Sequence, residues 1–376
     1  MTEESGADRP REAWRYVDLG AVGPAEAMSL NPVLAGWAKA QERPAAQTSV
    51  WGKTHLNVGW FDDVDSTLDL DLCAERGIEV IRRPVYGGGT AYYQAGCAVM
   101  WGFFLPGANA SLDEKLARFQ PVLVDALERM GLGEVGFEGS SDFRWHGRKL
   151  GALTAQSVMG VDNVGGFLNV ATPDLETYLE VVRVPDEKFK DKVVKDMSEY
   201  VCTATEVRGS AVAYEEFRDA LLGALDAAGV DVQAGDFTDE ERTSVRDIAG
   251  YLGGDDQVRR VSSERFSAAA PEGTTVGFGN EKGKKLCRAG VALDGDGVIV
   301  AALMAGDMHV SPPDTMERVA NALVGAASDD PSDLRARVAS VFEGADVSQA
   351  DAAMGVTTGD LLAAIDKAID AAKGEA

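Results

Sequence analysis

A basic, glycine-rich segment in the first quarter of the chain could bind an anion. It reads RRPVYGGGTAYY over residues 82–93, so two arginines lead through a short spacer into three consecutive glycines. Glycines let the backbone approach a ligand and turn successive N–H groups toward it, and arginine binds phosphate or carboxylate through paired hydrogen bonds. The spacing matches neither the Walker A loop nor the dinucleotide-binding fingerprint. Taken alone, a glycine turn beside arginines is more often an ordinary loop.

A second basic segment, GSSDFRWHGRKLGALTAQ at residues 139–156, offers a lysine among small residues. The pattern predicts a strand, a tight turn at His146-Gly147, and a second strand that opens with Arg148 and Lys149. A lysine followed by small residues can lie against a bound ligand without being crowded. Taken alone, a hairpin with a basic tip is common on edge strands.

In this order the two segments resemble the lipoate–protein ligases, a family with the biotinyl/lipoyl ligase fold. The hallmark of that family is R-R-x-x-G-G-G-x-V-x-H, followed by G-R-N-D and G-[RK]-K-[IV]-S-G-x-A. Similar features continue at residues 164–182, in the lysine-rich stretch 186–206, and at residues 290–312. The resemblance implies an α+β fold with mixed sheets and helices, in which a class II biotinyl/lipoyl ligase-like catalytic domain precedes a smaller α+β C-terminal domain.

The resemblance also implies a role for each matched residue. Lys149 falls on the family's essential lysine, which contacts the acyl carboxylate and the α-phosphate. Asp142 falls on the aspartate associated with magnesium and the adenylate, so the implied catalytic residues are Lys149 and Asp142 and the implied metal ligand is Asp142. The residues that fall where the family holds ATP are Arg83, Gly87, Gly88, Gly89, Thr90, Ala91, Tyr92 and Lys149.

The implied activity is that of an ATP-dependent lipoate–protein ligase. Such an enzyme activates lipoate or octanoate to acyl-AMP, with ATP and Mg²⁺, and transfers the acyl group to a lysine of an acceptor. The implied acceptors are lipoyl-domain proteins, namely acyltransferase subunits of 2-oxoacid dehydrogenases and the glycine-cleavage H-protein. Fixed cations and N–H dipoles suit this chemistry, because negative charge builds up on the reacting phosphate.

Several positions depart from the family pattern. Tyr93 stands where the family has histidine, and Ser140 and Ser141 replace an arginine and an asparagine, which removes one cation. Residues 150–152 (LGA) and 165–167 (GGF) replace the usual Ile-Ser-Gly and His-Gly-Thr. The choice of acyl chain is therefore open, and so is the alternative of a non-catalytic acyl- or nucleotide-binding relative.

A further alternative is an octanoyl or lipoyl transferase of the same fold, which needs no ATP and uses a cysteine nucleophile. Gly136 stands at the nucleophile position of one branch, and residues 168–172 carry no cysteine where another branch has it. Cys97, close to the glycine segment, is expected to be a buried strand residue. The cysteines, which are too widely spaced to predict a zinc site or a disulfide framework, are Cys73, Cys97, Cys202 and Cys287.

Charge and composition exclude some partners. The chain has 61 acidic residues against 36 Lys and Arg, for a net charge of −25, which argues against nucleic acid or anionic lipid as a partner. The acidity suits a salt-rich cytoplasm and an ordinary acidic protein equally well. No run of about 18 apolar residues predicts a membrane span, and residues 1–16 lack the apolar core of a secretion signal. A cytoplasmic monomer is expected.

Hydrophobic periodicity and turn signals predict two domains, a catalytic one at residues 1–237 and an accessory one at 238–376. Helices are predicted at residues 26–41, 111–130 and 185–200, the second capped by Ser111. The DGDG run at residues 294–297 predicts a hairpin turn. Residues 264–285, rich in Gly, Ser and Ala, are predicted to be irregular.

Overall fold

The computed structural model describes residues 11–84, 89–107, 111–139, 141–183, 199–283, 285–349 and 356–374. They belong to two compact units, each discontinuous in sequence. The first unit draws on Met1–His55, Tyr93–Glu176 and Pro185–Gly250, and the second on Leu56–Tyr92, Thr177–Val184 and Tyr251–Ala376. The division into domains at residues 237 and 238 stays a prediction. Among the described residues, no helix combines the length and apolar character needed to cross a bilayer.

The described residues form strands and helices in alternation along much of the chain. In chain order they are β1 (Glu12–Val22), α1 (Pro24–Gln41), β2 (Ala45–Trp51), β3 (His55–Val58), α2 (Val64–Thr67), α3 (Leu70–Glu75), β4 (Glu79–Arg82), β5 (Ala91–Tyr93), β6 (Ala98–Pro106), α4 (Leu112–Arg129), β7 (Gly136–Glu138), β8 (Asp142–Trp145), β9 (Arg148–Val158), β10 (Val161–Asn169), α5 (Leu175–Val181), α6 (Ala204–Arg208), α7 (Tyr214–Ala227), β11 (Val230–Ala234), α8 (Asp239–Leu252), α9 (Asp255–Val258), α10 (Ser263–Ala269), β12 (Thr275–Lys282), β13 (Leu286–Leu293), β14 (Ile299–Gly306), β15 (Val310–Ser311), α11 (Thr315–Leu323), α12 (Pro331–Phe342), β16 (Ser348–Gln349) and α13 (Thr358–Lys373).

The first unit is built on an eight-stranded mixed sheet in the order β11-β1-β2-β6-β10-β9-β8-β7. Strand β1 runs parallel to β11 and β2, and the pairs from β2 to β7 are antiparallel. Because side chains alternate across a strand, β6 sends Trp101 and Phe103 into a core shared with Phe119 of α4 and Phe217 of α7. On the other face, Phe104 packs with residues of α1.

Helix α4 forms as its sequence predicts. The Ser111 side chain accepts from the backbone N–H of Glu114, and the Glu114 carboxylate accepts from the N–H of Ser111, which completes a capping box. Its apolar stripe, including Phe119, Leu123 and Leu127, is buried in the core. The predicted helix at residues 26–41 is also confirmed, as α1, whereas the one at 185–200 lies almost wholly outside the described residues.

The central strands approach too closely for a side chain at Gly166. A Cβ there would lie 2.0 Å from the carbonyl oxygen of Ala152 and 2.7 Å from the Trp101 ring. Neither neighbour can move freely, because one is backbone and the other is a buried ring. We expect Gly166→Ala to lower the free energy of unfolding by about 3 kcal/mol, measured by urea unfolding. The matched control is Gly136→Ala in β7, where a Cβ meets nothing within 4 Å. Equal losses in the two variants would contradict this account.

The second unit contains a three-stranded antiparallel sheet, β12-β13-β14. The hairpin predicted at residues 294–297 is confirmed, since it joins β13 to β14. The irregular segment predicted at residues 264–285 is wrong, because it contains most of α10 and all of β12. Its glycines serve close packing: a Cβ at Gly277 or Gly279 would lie 2.2 Å from a backbone atom of α13.

Candidate functional site

The hairpin of β8 and β9 brings together the two residues that the sequence predicts to be catalytic. Its turn consists of His146 and Gly147, with φ of 50° and 77°, the sign that a two-residue type I′ turn requires at both positions. The Nζ atom of Lys149 lies 2.9 Å from Oδ1 of Asp142. The second oxygen of Asp142, Oδ2, accepts from Nη2 of Arg144 at 3.1 Å. A lysine, an aspartate and an arginine therefore form one ionic group.

A register shift in this hairpin turns Lys149 away from the core. The pairing of β8 with β9 slips between Phe143 and Arg144. As a result Leu150 and Leu153, three residues apart on β9, both lie in the core beside α4, and the ordinary alternation of faces is broken. The Nζ atom of Lys149 instead lies 5.9 Å from the ring centroid of Phe167. The odd-numbered neighbours of Phe167 on β10 share its face of the sheet, opposite the core that contains Leu168.

That face bears a cleft of about 200 Å³ within the first unit. Gly102 pairs with Gly165 in the middle of its floor, and Nε2 of Gln47 would lie 3.2 Å from a Cβ at Gly102. Its apolar wall includes Leu19, Met28, Leu30, Trp51, Met100 and Phe167. Its polar wall consists of Asn31, Gln47, Ser49, Thr154, Gln156 and Asn163. Phe167 therefore connects the two features, since it lines the cleft and its ring centroid lies 5.9 Å from the ammonium group of Lys149.

The carboxylate of Asp142 is paired with two cations in this structure. One oxygen lies beside Lys149 and the other accepts from Arg144. In the part of the chain that the structure describes, no group of three or more His, Cys, Asp or Glu side chains could hold a metal ion. The assignment of Mg²⁺ to Asp142 stays a prediction, and we derive no step through the metal.

Tyr93 stands at the position where the family has a histidine, and its ring stacks on that of His55. Its ring lies 5.2 Å from that of His55, and the ring of Trp51 lies 4.4 Å from His55 on another side. The Nδ1 atom of His55 lies 3.0 Å from the carbonyl oxygen of Lys53, so Nδ1 carries the proton and Nε2 is the unprotonated nitrogen. Nε2 is buried and has no hydrogen-bond partner among the described residues.

Burial of His55 predicts a loss of stability in mild acid. It lowers the pKa of His55 from 6.5 to about 4. Between these two values the unfolded chain binds a proton that the folded protein does not. The contribution of His55 to the free energy of unfolding is therefore complete above pH 6.5 and falls as the pH drops toward 4. We expect about 2 kcal/mol to be lost between pH 8 and pH 5 through this residue. Urea unfolding at both values should show a smaller loss in His55→Phe than in the wild type, and the same loss in His146→Gln, which changes an exposed turn residue. If His55→Phe lost as much stability between pH 8 and pH 5 as the wild type, His55 would not be the cause of that loss.

The glycine segment belongs to the second unit, where its first arginine has a structural role. Arg82 is fully buried, and its guanidinium donates to carbonyl oxygens that include those of Gly59 at 2.6 Å, Asp62 at 2.8 Å and Val258 at 2.7 Å. Burial lowers the pKa of Arg82 to about 10. The interpretation of Arg82 as a cation that flanks the glycines and binds an anion is therefore wrong.

Arg83 and Thr90 fix the two ends of the glycine segment. Arg83 donates from Nη1 to the carbonyl of Asn57 at 3.0 Å and from Nη2 to that of Gly89 at 2.7 Å. Thr90 donates to Oδ2 of Asp62 at 2.9 Å, and burial raises the pKa of that carboxyl group. Ala91 and Tyr92 lie on β5, whereas Gly87 and Gly88 lie outside the described residues. ATP binding by this segment stays a prediction.

Two thiols lie in the first unit, and neither has the character of a nucleophile. The backbone N–H of Cys202 donates to the carbonyl of Lys149 at 2.9 Å, but its side chain is buried and burial raises its pKa. Cys97 precedes β6 and is partly exposed, which corrects its prediction as a buried strand residue. Burial also raises the pKa of Cys97. A reactive cysteine needs a lowered pKa, because the thiolate is the nucleophile.

A comparison with protein families identifies the chain. Residues 23–226, just over half of it, match the model of the lipoyl protein ligase A/B catalytic domain. The chain belongs to this family. The match includes both members of the Lys149–Asp142 pair and every residue that lines the cleft except Leu19.

Relatives of this lipoyl protein ligase A/B family member carry two kinds of name. Octanoyltransferase LipM of Geobacillus kaustophilus is 22% identical over 264 residues, which cover 64% of this chain and 95% of the relative. Lipoate-protein ligase A subunit 1 of Thermoplasma acidophilum is 25% identical over 201 residues, covering 51% of this chain and 75% of the relative. Other relatives, from Kyrpidia tusciae and Halalkalibacterium halodurans, are also octanoyltransferases LipM.

Solved structures confirm the predicted fold of this family member. The bipartite lipoate protein ligase of T. acidophilum, described with its E2 lipoyl domain, matches with a TM-score of 0.57 at 20% identity and covers 66% of this chain and 97% of its own. LipL1 of P. falciparum in complex with lipoate matches with a TM-score of 0.60 at 12% identity and covers 89% of this chain and 96% of its own. At these identities the likeness establishes the α+β lipoate ligase fold.

Proposed function

We propose that the protein transfers an acyl group of octanoyl or lipoyl size to a lysine of a lipoyl-type acceptor protein. The observation that supports this most is the position of Lys149, whose Nζ lies 5.9 Å from the ring centroid of Phe167, a residue that lines the cleft between the sheet and α1. A cleft of this kind holds an acyl chain, and a fixed ammonium group beside it stabilises charge at the carbonyl.

The proposed chemistry is attack by the acceptor's neutral lysine amine on the acyl carbonyl. Negative charge develops on the carbonyl oxygen as the C–N bond forms, and the Lys149 ammonium stabilises it. The bond from the carbonyl carbon to the leaving group then breaks, and the proton that the amine loses ends on the carrier thiol in the thioester route or is released to solvent when AMP leaves. Asp142 holds Lys149 by its ion pair, so its role in the proposal is to position the ammonium group.

The route by which the acyl group is activated has two candidates. The names of most relatives favour octanoyl transfer without ATP over the ATP-dependent ligase that the motifs predict. The raised pKa values of Cys97 and Cys202 speak for a route without an enzyme thioester. Transfer from a carrier thioester directly to the acceptor meets both observations, and the acyl-adenylate route, with ATP, is the second candidate.

One experiment separates the routes. A lipoyl-domain acceptor is incubated with the protein and either an octanoyl-carrier thioester without ATP, or octanoate or lipoate with ATP and Mg²⁺, and the acceptor mass is measured. Acylation in the first mixture alone supports the transferase. Acylation in the second alone, with release of pyrophosphate and trapping of an acyl-hydroxamate by hydroxylamine, supports the ligase. If neither mixture acylates any acceptor tested, the proposal fails, and binding of the free acid would then indicate a non-catalytic relative.

The proposed acceptor is a lipoyl domain or a protein of similar form. This rests on the family and on the T. acidophilum ligase, which is described together with its E2 lipoyl domain. Acyltransferase subunits of 2-oxoacid dehydrogenases and the glycine-cleavage H-protein are the two acceptors to test first, and acylation of their lysines distinguishes between them.

A further inference from the structure

Arg144, which the proposed chemistry does not use, faces Lys149 directly across the hairpin. The two residues are paired in the register of β8 and β9. Like charges directly opposite each other destabilise a sheet, so this pairing costs the hairpin stability unless a third group compensates. Asp142 is that group. It lies two residues from Arg144 on the same face of β8, and its carboxylate contacts both cations.

The charges of this ionic group do not cancel. The ammonium of Lys149 and the guanidinium of Arg144 share the single negative charge of Asp142, through Oδ1 at 2.9 Å and Oδ2 at 3.1 Å. A second carboxylate, that of Glu138, lies 3.1 Å from Nε of Arg144, but its side chain is 68% exposed, so solvent screens its charge. Lys149, Asp142 and Arg144 together therefore carry one net positive charge.

The position of Arg144 is fixed by contacts on several sides. Nη1 donates to the carbonyl oxygen of Gly147 at 2.9 Å, and Nη2 also donates to the hydroxyl of Tyr200 at 3.1 Å. The guanidinium carbon lies 5.1 Å from the centroid of the Tyr200 ring, a favourable cation–π arrangement. The guanidinium thus holds Oδ2 of Asp142 in place, and the carboxylate meets Lys149 through Oδ1. An ammonium has three N–H groups, and Asp142 takes one of them.

We propose that Arg144 is a positioning residue for Lys149, which holds and charge-balances Asp142 so that the ammonium keeps a net positive charge and N–H groups for the acyl carbonyl. This inference rests on the proposed function, which places that carbonyl beside Lys149. Arg144 itself is not among the described residues that line the cleft, so it acts through Asp142. Without Arg144, Lys149 and Asp142 would form a neutral pair, which attracts an anion less.

The test compares octanoate with octanamide, two ligands of equal chain length that differ in charge. Their affinities for the full chain are measured by titration calorimetry and checked by tryptophan fluorescence, since Trp51 and Trp101 line the cleft. One carboxylate joins Nζ of Lys149 to Nη2 of Arg144, so the two cations lie within about 8 Å, where removing a unit charge near a protein surface weakens anion binding about tenfold or more. We expect octanoate to be the tighter ligand of the wild type. Arg144→Gln should lower the ratio of octanoate to octanamide affinity about tenfold and leave the affinity for octanamide unchanged.

Three further variants separate this role from a purely structural one. Only Nη2 of Arg144 contacts the carboxylate, so Arg144→Lys can make the same contact and should keep the ratio within about threefold of the wild type. Arg129→Gln, which breaks a pair with Asp125 at 3.0 Å on α4, should change neither affinity. Glu138→Gln removes an exposed acid and should raise the ratio about twofold, which keeps the test decisive if Arg144→Gln does not fold.

The outcomes for the inference and for the proposed function are distinct. An unchanged ratio in folded Arg144→Gln, equal weakening of both ligands, a fall of the ratio in Glu138→Gln, or no binding of either ligand would overturn the inference. Acylation of an acceptor by the wild type together with an unchanged ratio means that the proposed function stands and the inference has failed. The expected shift in ratio without acylation of any acceptor means that the proposed function has failed, and the role of Arg144 in the cationic group stands.

Discussion

Lys149→Met is expected to lower the rate of acyl transfer at least about a hundredfold, the usual effect of removing one group that stabilises an oxyanion, and to leave the protein folded. The ammonium lies 5.9 Å from the ring centroid of Phe167, which lines the cleft. Methionine keeps much of the volume of the side chain and removes its charge. Asp142 retains its contact with Arg144 at 3.1 Å, so the variant does not leave that carboxylate without a cation.

The measurement is the initial rate of acceptor acylation, by whichever of the two routes the wild type uses. Lys39→Met is the matched control, because Lys39 lies on α1 and donates to the carbonyl of Met159 at 2.9 Å, away from the ionic group. It should keep the wild-type rate. Lys149→Arg should recover little activity, since a guanidinium places its charge differently from an ammonium. A Lys149→Met rate within a few-fold of the wild type would remove this residue from the mechanism.

Much of the hairpin that carries Lys149 and Asp142 can be predicted from the sequence. The two-residue turn at His146-Gly147 and its flanking strands follow from local residues, and the family resemblance singles out Lys149 and Asp142, which this hairpin brings to 2.9 Å of each other. The capping box at Ser111 and the DGDG hairpin are likewise local patterns whose outcome depends on neighbouring residues alone.

What the sequence could not show depends on contacts between distant segments. The register shift that turns Lys149 toward the cleft is a property of the pairing of two strands, and no residue pattern within either strand predicts it. The polar residues that line the cleft come from α1, β2, β9 and β10, and those on the strands become neighbours only when the strand order is known. On β2, Gln47, Thr48 and Ser49 are three consecutive polar residues, so no alternation of polar and apolar residues distinguishes the face of the cleft.

Arg82 is the clearest case of a residue that sequence reasoning placed in the wrong role. Beside Arg83 and three glycines it has the appearance of an anion-binding cation. Its guanidinium is instead surrounded by carbonyl oxygens from two segments, residues 59–62 and residues 257–261. Only the long-range contact with residues 257–261 distinguishes a buried structural arginine from a ligand-binding one.

These contacts predict that residues 56–92 will not keep their structure in a fragment that ends at residue 237. Phe61 packs in one cluster with residues of α11 and α13, and Val258 packs in another with Leu56 and Ile78. Asp65 accepts from Arg259 at 2.9 Å. Uncovering a buried phenylalanine and leaving a buried guanidinium without its partners each cost about 3 to 5 kcal/mol. Together these losses equal much of the stability of a typical domain.

Hydrogen exchange measures this loss segment by segment. We expect the amides of β4 to exchange at least about a hundredfold faster in the 1–237 fragment than in the whole chain, since a loss of a few kcal/mol corresponds to that factor. Amides of β6 and β10, in the first unit, serve as the internal control and should stay protected. In the whole chain, Arg82→Met should speed exchange in β4, whereas Arg76→Met, which removes an exposed ion pair with Glu180, should not.

The outcome also decides what kind of boundary lies at residue 237. If β4 keeps its protection in the fragment, residues 1–237 fold without the rest, as the sequence predicts for a catalytic domain. If protection is lost, the segment that carries Arg83, Gly89 and Thr90 depends on residues 251–376 for its conformation, because Arg82 and Asp62 hold that segment from within the second unit. Loss of activity in the fragment would then result from the lost conformation of the segment that carries Arg83, Gly89 and Thr90. The single-site variant Arg82→Met should reproduce part of that loss of activity without any deletion.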